Sequence, residues 1–170
     1  MPIAGYSPRE VFPLAAVASA LVDFAIAAMV VVPFYIYYAV SGPVHPGPRL
    51  LLLPFVILIE LVFAAGLALF LSMANLFFRD VKYIMTFIIQ MWFFATNVVY
   101  PIRFDARPHL RWIASVNPMI PIFDAYRALL MGQPIENKTG LALAALIACT
   151  LFYFGWKVFH RAEFKFAEVV

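Results

Sequence analysis

Four apolar stretches dominate the chain: Leu14 to Val40, Leu50 to Phe78, Tyr83 to Tyr100 and Thr139 to Phe159. Among them they carry only Asp23, Glu60 and Lys157 as charges. Each is close to or longer than the roughly 20 apolar residues that cross a bilayer as a helix. In lipid every backbone N–H and C=O must be satisfied within the protein, so such stretches fold as helices. Composition agrees: 65% of residues are hydrophobic and 12% charged, with a mean hydropathy of +0.93. A soluble chain holds roughly 45–50% apolar and 25% charged residues. The sequence therefore predicts an all-α integral membrane protein, a single transmembrane domain over residues 1–170 with four spans at about 14–40, 50–78, 83–100 and 139–159.

The breaks between spans differ in kind. "SGPVHPGP" (41–48) ends the first span with helix-breaking prolines and glycines. "NLFFRDVKY" (75–83) is a short polar joint with Arg79, Asp80 and Lys82. Residues 101–138 are different, with charges interleaved among apolar pieces too short to span. Within them "NPMIPIFDAYRALLMG" reads as a helix of about three turns. Pro121 suits its first position, Asp124 complements its positive start, and Gly132 supplies a left-handed cap. Ile122, Phe123, Tyr126, Leu129 and Leu130 repeat on one face. Too short to cross, this helix lies at the interface or dips in and returns. Asp124 and Arg127 stand at i, i+3, where opposite charges meet.

Several function classes have no support. Met1 to Phe12 lacks the charged and apolar regions of a signal peptide. Cys149 is the one cysteine, so no internal disulfide forms. No clustered basic face suggests nucleic acid. "ENKTG" has a Lys-Thr pair without a glycine-rich phosphate loop, so ATP hydrolysis is not expected of this chain. His45, His109 and His160 have no ligands at metal spacing, and no serine has a recognisable triad. Catalytic and metal residues are therefore assigned to none.

What remains are polar groups in unusual places. Asp23 and Glu60 approach mid-bilayer, where a charge costs roughly 2.5–3.5 kcal/mol on insertion scales. They read either as a proton relay or polar channel lining, or as carboxyls that hydrogen-bond between helices. No intramembrane Lys or Arg answers them, which favours the second reading. Aromatic clusters lie at "FYIYY" (34–38), "WFF" (92–94) and "FYFGW" (152–156), and Tyr35, Trp92, Phe93 and Tyr100 are the candidate path-lining residues. Interfacial and lipid-facing packing is the plainer reading of such clusters. The joint of Arg79, Asp80, Lys82 and Tyr83 is polar because it must stay in water, and it is also short enough to pass a push from a soluble partner into two helices. Basic residues divide evenly between the two sides, but the short "RDVK" joint and the basic tail assign that side, with both termini, to the cytoplasm.

"FPLAAVASALVDF", "NLFFRDVKYIMTFIIQMWFFATNVVYPI", "NPMIPIFDAYRALLMG" and "HRAEFKFAEVV", in that order, resemble the permease subunit of type-2 ATP-binding-cassette exporters. The branch exporting O-antigen, teichoic acid or capsular polysaccharide is the most similar. The resemblance implies a bacterial inner-membrane subunit that dimerises, pairs with a separate ATPase binding ATP and Mg, and moves a lipid-linked glycan outward. It implies that Arg79, Asp80, Lys82 and Tyr83 form the ATPase-coupling loop. It further implies that Asn117, Pro118, Asp124 and Arg127 belong to an outer gate of short re-entrant helices within 101–138. Members of the family usually carry further N-terminal spans, about a third of the subunit, before the "PREVFPLA" stretch. The alternative of another class is an accessory membrane protein that stabilises a complex without forming a path.

Overall fold

The computed structural model describes residues 11–42, 44–78, 80–96, 98 and 116–167, all helical or connecting, with no strand among the described residues. Helix α1 runs Val11–Ser41. A 3-10 turn at Pro48–Leu52 leads into α2, Leu53–Phe77. Then come α3, Val81–Ala95, α4, Met119–Leu130, and α5, Lys138–Ala167.

Length sorts these helices. Val11–Ser41, Pro48–Asn75 and Lys138–Arg161 are long and apolar enough to cross a membrane. At 1.5 Å per residue, α3 is about 22 Å long, short of a ~30 Å hydrocarbon core. The stretch expected to run on to Tyr100 as a fourth span leaves helical geometry at Thr96, whose backbone is extended at φ −96° and ψ 144°. The cause is local. Thr96 turns its hydroxyl back to donate to the Trp92 carbonyl at 2.8 Å, and β-branched threonine followed by Asn97, Val98 and Val99 offers little helix propensity.

Two cores hold the bundle. The larger joins Val56, Ile59 and Phe63 of α2, Ile122, Ala125 and Leu129 of α4, and Ala144 and Ala148 of α5. The smaller joins Leu69 and Met73 of α2 to Phe159 of α5. Helices α2 and α5 therefore pack along much of their length, and α4 is wedged beside both near one end. Small residues make this possible. A Cβ added to Gly66 would fall 2.6 Å from the Phe152 backbone nitrogen, and one added to Gly155 would fall 2.9 Å from the Gly66 carbonyl oxygen. The two backbones touch at this crossing, as small residues allow between membrane helices.

The outward surface is apolar. Met29 on α1 is 73% exposed and Phe87 on α3 is 63% exposed. In water such a surface would aggregate; in lipid it needs no cover. Pro33 removes one hydrogen-bond donor from the interior of α1, a loss that transmembrane helices tolerate.

Candidate functional site

The site is built around α4, the helix that does not cross. Its start is set by Asn117, which is 8% exposed. The Asn117 Oδ1 accepts from the Met119 backbone N–H at 3.1 Å, supplying one of the bonds that a helix start lacks. The helix begins at Met119, so Pro121 is its third residue rather than its first. Asp124 is therefore the sixth residue, outside the first turn, and does not complement the helix start as expected. Its carboxylate lies 3.7 Å from Arg127 Nη1, an i, i+3 pair. At the other end Gly132 adopts φ +69°. The N–H of Gln133 donates to the Ala128 carbonyl at 2.7 Å and that of Gly132 to Leu129 at 3.2 Å, closing the helix with a left-handed cap. A Cβ on Gly132 would also collide with the His45 carbonyl, so this glycine lets the connection after α1 lie against the end of α4.

The buried face of α4 consists of Ile120, Pro121, Ile122, Ala125 and Leu129. Of the residues expected to line it, Phe123 and Tyr126 are half-buried at its edge and Leu130 is exposed. The face is turned because α4 inserts between two neighbours, α2 and α5, and small Ala125 takes the tightest position.

Five polar contacts anchor this helix. Trp92 Nε1 donates to Asn117 Oδ1 at 3.0 Å, and Asn117 Nδ2 donates to Thr96 Oγ1 at 3.0 Å, tying the start of α4 to the end of α3. Arg127 Nη2 donates to the Val98 carbonyl at 2.8 Å. Tyr35 on α1 donates its hydroxyl to the Leu130 carbonyl at 2.9 Å, in the last turn of α4. Tyr126 donates to Glu60 Oε2 at 2.5 Å. Burial, together with that hydrogen bond and the charge of Glu60, raises the phenol's pKa, so the hydroxyl stays protonated and remains the donor.

The last contact fixes the depth of α4. Glu60 is seven residues into α2, about 10 Å along its axis. A helix bonded there reaches below the level at which its spanning neighbour begins.

The residues singled out from sequence thus separate. Glu60 meets Tyr126. Asp23 is exposed on α1 and has no hydrogen-bond partner among the described residues. Tyr35 and Trp92 anchor α4, and Trp92 also stacks edge-on to Phe63 with centroids 6.0 Å apart. Phe93 is exposed and packs edge-on to Phe94. Pro118 leads directly into α4. Asp80, Lys82 and Tyr83 are exposed at the start of α3. Val81 N–H donates to the Phe78 carbonyl at 3.2 Å and Ile84 N–H to Asp80 at 3.2 Å, so the joint between α2 and α3 is a tight one. Arg79 and Tyr100 lie outside the described residues. Among the described residues no group of His, Cys, Asp and Glu is arranged to hold a metal.

Sequence reasoning passed over Tyr126 as a polar residue and Thr96 altogether, and it missed the small-residue stripe Gly140, Ala144, Ala148 and Gly155 on α5. That spacing was a readable signal for close helix packing. It also passed over Asn137, whose Oδ1 accepts from the Gly140 N–H at 2.8 Å and caps the start of α5.

Residues 6–131 match the family described as ABC-2 type transporter. The chain belongs to the ABC-2 type transporter family. Curated relatives include the O-antigen export system permease protein RfbA of Myxococcus xanthus, 26% identical over 164 residues that make up 96% of this chain and 62% of that protein. Two proteins of the same name from Klebsiella pneumoniae are 25% and 26% identical over 164 residues, covering 96% of this chain and 61% of each. The chain therefore spans about three fifths of the length of the relatives it matches. With several apolar helices of crossing length, this ABC-2 chain is a multi-pass membrane protein. The family match takes in α1 to α4 together with the polar joint, so the anchored helix lies inside the matched region.

Proposed function

We propose that this chain is the transmembrane subunit of an ATP-driven exporter that moves a lipid-linked polysaccharide of the O-antigen kind across the bacterial inner membrane. The observation that carries the reading is the family match over residues 6–131, joined by relatives named as O-antigen export permeases. The fold supplies parts suited to the task. Three helices of crossing length form a wall, and α4 sits against it as a short helix near one end. We assign α3 to the third of four crossings. As a transport component the chain is not itself an enzyme, and ATP with Mg is bound by a separate ATP-binding-cassette subunit. Two copies of the permease assemble with it. The accessory-protein alternative has no observation in its favour.

On this reading the exposed joint of Asp80, Lys82 and Tyr83, with Arg79, faces the cytoplasm and receives the ATPase. Asn117, Pro118, Asp124 and Arg127 belong to the outer gate. The two ends of the bundle are then distinguishable chemically. In a Cys149→Ala background, a cysteine at Gly42 should react with an impermeant thiol reagent in intact cells, and one at Lys82 should react only after the cells are opened. The reverse pattern would invert the assignment of both ends.

Function itself is tested by co-expressing the complete permease containing this sequence with its ATPase subunit, in cells that build lipid-linked O-antigen but lack their own exporter. Glycan should reach the outer surface only when both subunits are present, and the purified chain should hydrolyse no ATP. Hydrolysis by the chain alone, or glycan retained inside with both subunits assembled, would sink the reading.

A further inference from the structure

The anchors of α4 are not equivalent. Asn117 and Arg127 tie it to the end of α3 and to Val98, and Leu130 ties it to α1. The apolar contacts of Ile122, Ala125 and Leu129 hold it in the cleft between α2 and α5, but such contacts are non-directional and permit sliding. The Tyr126 to Glu60 hydrogen bond joins α4 to α2, a helix of crossing length. Placing a carboxyl inside a span is costly, and Glu60 has this one partner among the described residues. A proton relay needs a second titratable group in line. Tyr126 keeps its proton, and no other titratable side chain is bonded to Glu60 among the described residues.

We propose that Glu60 is a positioning residue. It acts as a hydrogen-bond acceptor that latches α4 onto α2 through the Tyr126 hydroxyl, and thereby sets how often α4 leaves its cleft. The consequence for transport rests on the exporter reading above; the latch itself does not. Two properties follow from an acceptor role. The charge of Glu60 is dispensable, because a glutamine carbonyl accepts the same bond. Removing the Tyr126 hydroxyl is equivalent to removing the carboxyl.

Ile122, fully buried in the core shared by α2, α4 and α5 and larger than cysteine, gives the readout. A cysteine placed there in a Cys149→Ala background is reachable only while α4 is lifted, and cysteine is at home in buried positions. Labelling by N-ethylmaleimide is followed in native membranes carrying the full chain, with neither ATP nor glycan required. Tyr126→Phe deletes one oxygen and keeps the ring, so it tests the latch without threatening the fold. It should accelerate labelling about five- to tenfold, the equilibrium factor of one hydrogen bond of ordinary net strength. Glu60→Leu should match it, and Glu60→Gln should stay within about twofold of the parent. Unchanged labelling in Tyr126→Phe overturns the latch, and so does Glu60→Gln behaving like Glu60→Leu, which would make charge the operative property. In the complete transporter Tyr126→Phe should change the export rate about threefold or more with assembly intact. Export unchanged beside faster labelling removes the positioning role. No export by the parent, with the labelling pattern as expected, removes the exporter reading and leaves the latch.

Discussion

Gly66→Val is expected to prevent accumulation of a monodisperse chain. The Cβ it introduces would lie 2.6 Å from the Phe152 nitrogen, 2.8 Å from its Cα and 2.9 Å from the Leu151 carbonyl carbon. All three are backbone atoms of a helix and have no rotamer through which to withdraw. The conflict is relieved only if α2 and α5 separate, and separation opens both cores at once, since Phe63 with Ala148 lies to one side of the crossing and Leu69 with Phe159 to the other. Inserting methyl groups into a packed interior costs typically 1–3 kcal/mol, and a clash between two backbones belongs at or above the top of that range. Size-exclusion of a fluorescent fusion in mild detergent should show the monodisperse peak lost in Gly66→Val and reduced in Gly66→Ala. Gly42→Val is the control, because nothing lies within 4 Å of a Cβ at that position. A Gly66→Val protein that elutes and melts like the parent would show that the α2–α5 crossing is not this close.

The contrast between Gly66 and Glu60 marks what the chain discloses before it is folded. Solvent class, helical architecture and the approximate bounds of the long helices are local properties of apolar runs, and the left-handed cap at Gly132 is local too. The close crossing was locally encoded as well, in the spacing of Gly140, Ala144, Ala148 and Gly155 along α5. The partner of Glu60 was not. Tyr126 is 66 positions away, and nothing in either segment specifies that α4 packs against α2 at this level. The end of α3 falls between these cases. Thr96 is a weak helix former and favours an early stop, but it stays in extended geometry because Asn117, from another element, bonds its hydroxyl. The face of α4 was misjudged by a small rotation because periodicity finds one apolar stripe, whereas a helix wedged between two others buries a broader surface.

Asn117 is where the largest polar effect is expected. Its amide is used at both ends: Oδ1 accepts from the Trp92 indole and the Met119 backbone, and Nδ2 donates to Thr96. Thr96 in turn is 5% exposed and donates to the Trp92 carbonyl. Asn117, Thr96 and Trp92 form a closed cycle, and the Met119 N–H joins it at Oδ1. Leucine has nearly the shape of asparagine, so Asn117→Leu removes polarity with little change in packing volume. It strands the Trp92 and Met119 N–H groups. A buried donor left unpaired costs about 1–3 kcal/mol, so the variant should lose about 2–4 kcal/mol and melt well below the parent in detergent. Arg127→Ala should cost less. Among the described residues it gives up the bond to the Val98 carbonyl and a half-exposed i, i+3 pair with Asp124, of which the pair contributes roughly 0.2–0.5 kcal/mol. A double-mutant cycle separates the network from general damage at position 117. In a Trp92→Phe background one of the stranded donors is already gone, so Asn117→Leu should cost about 1 kcal/mol less there than in the parent. Strict additivity of the two substitutions would mean that the indole and the amide do not meet, and the side-chain tie from the start of α4 to the end of α3 would then run through Thr96.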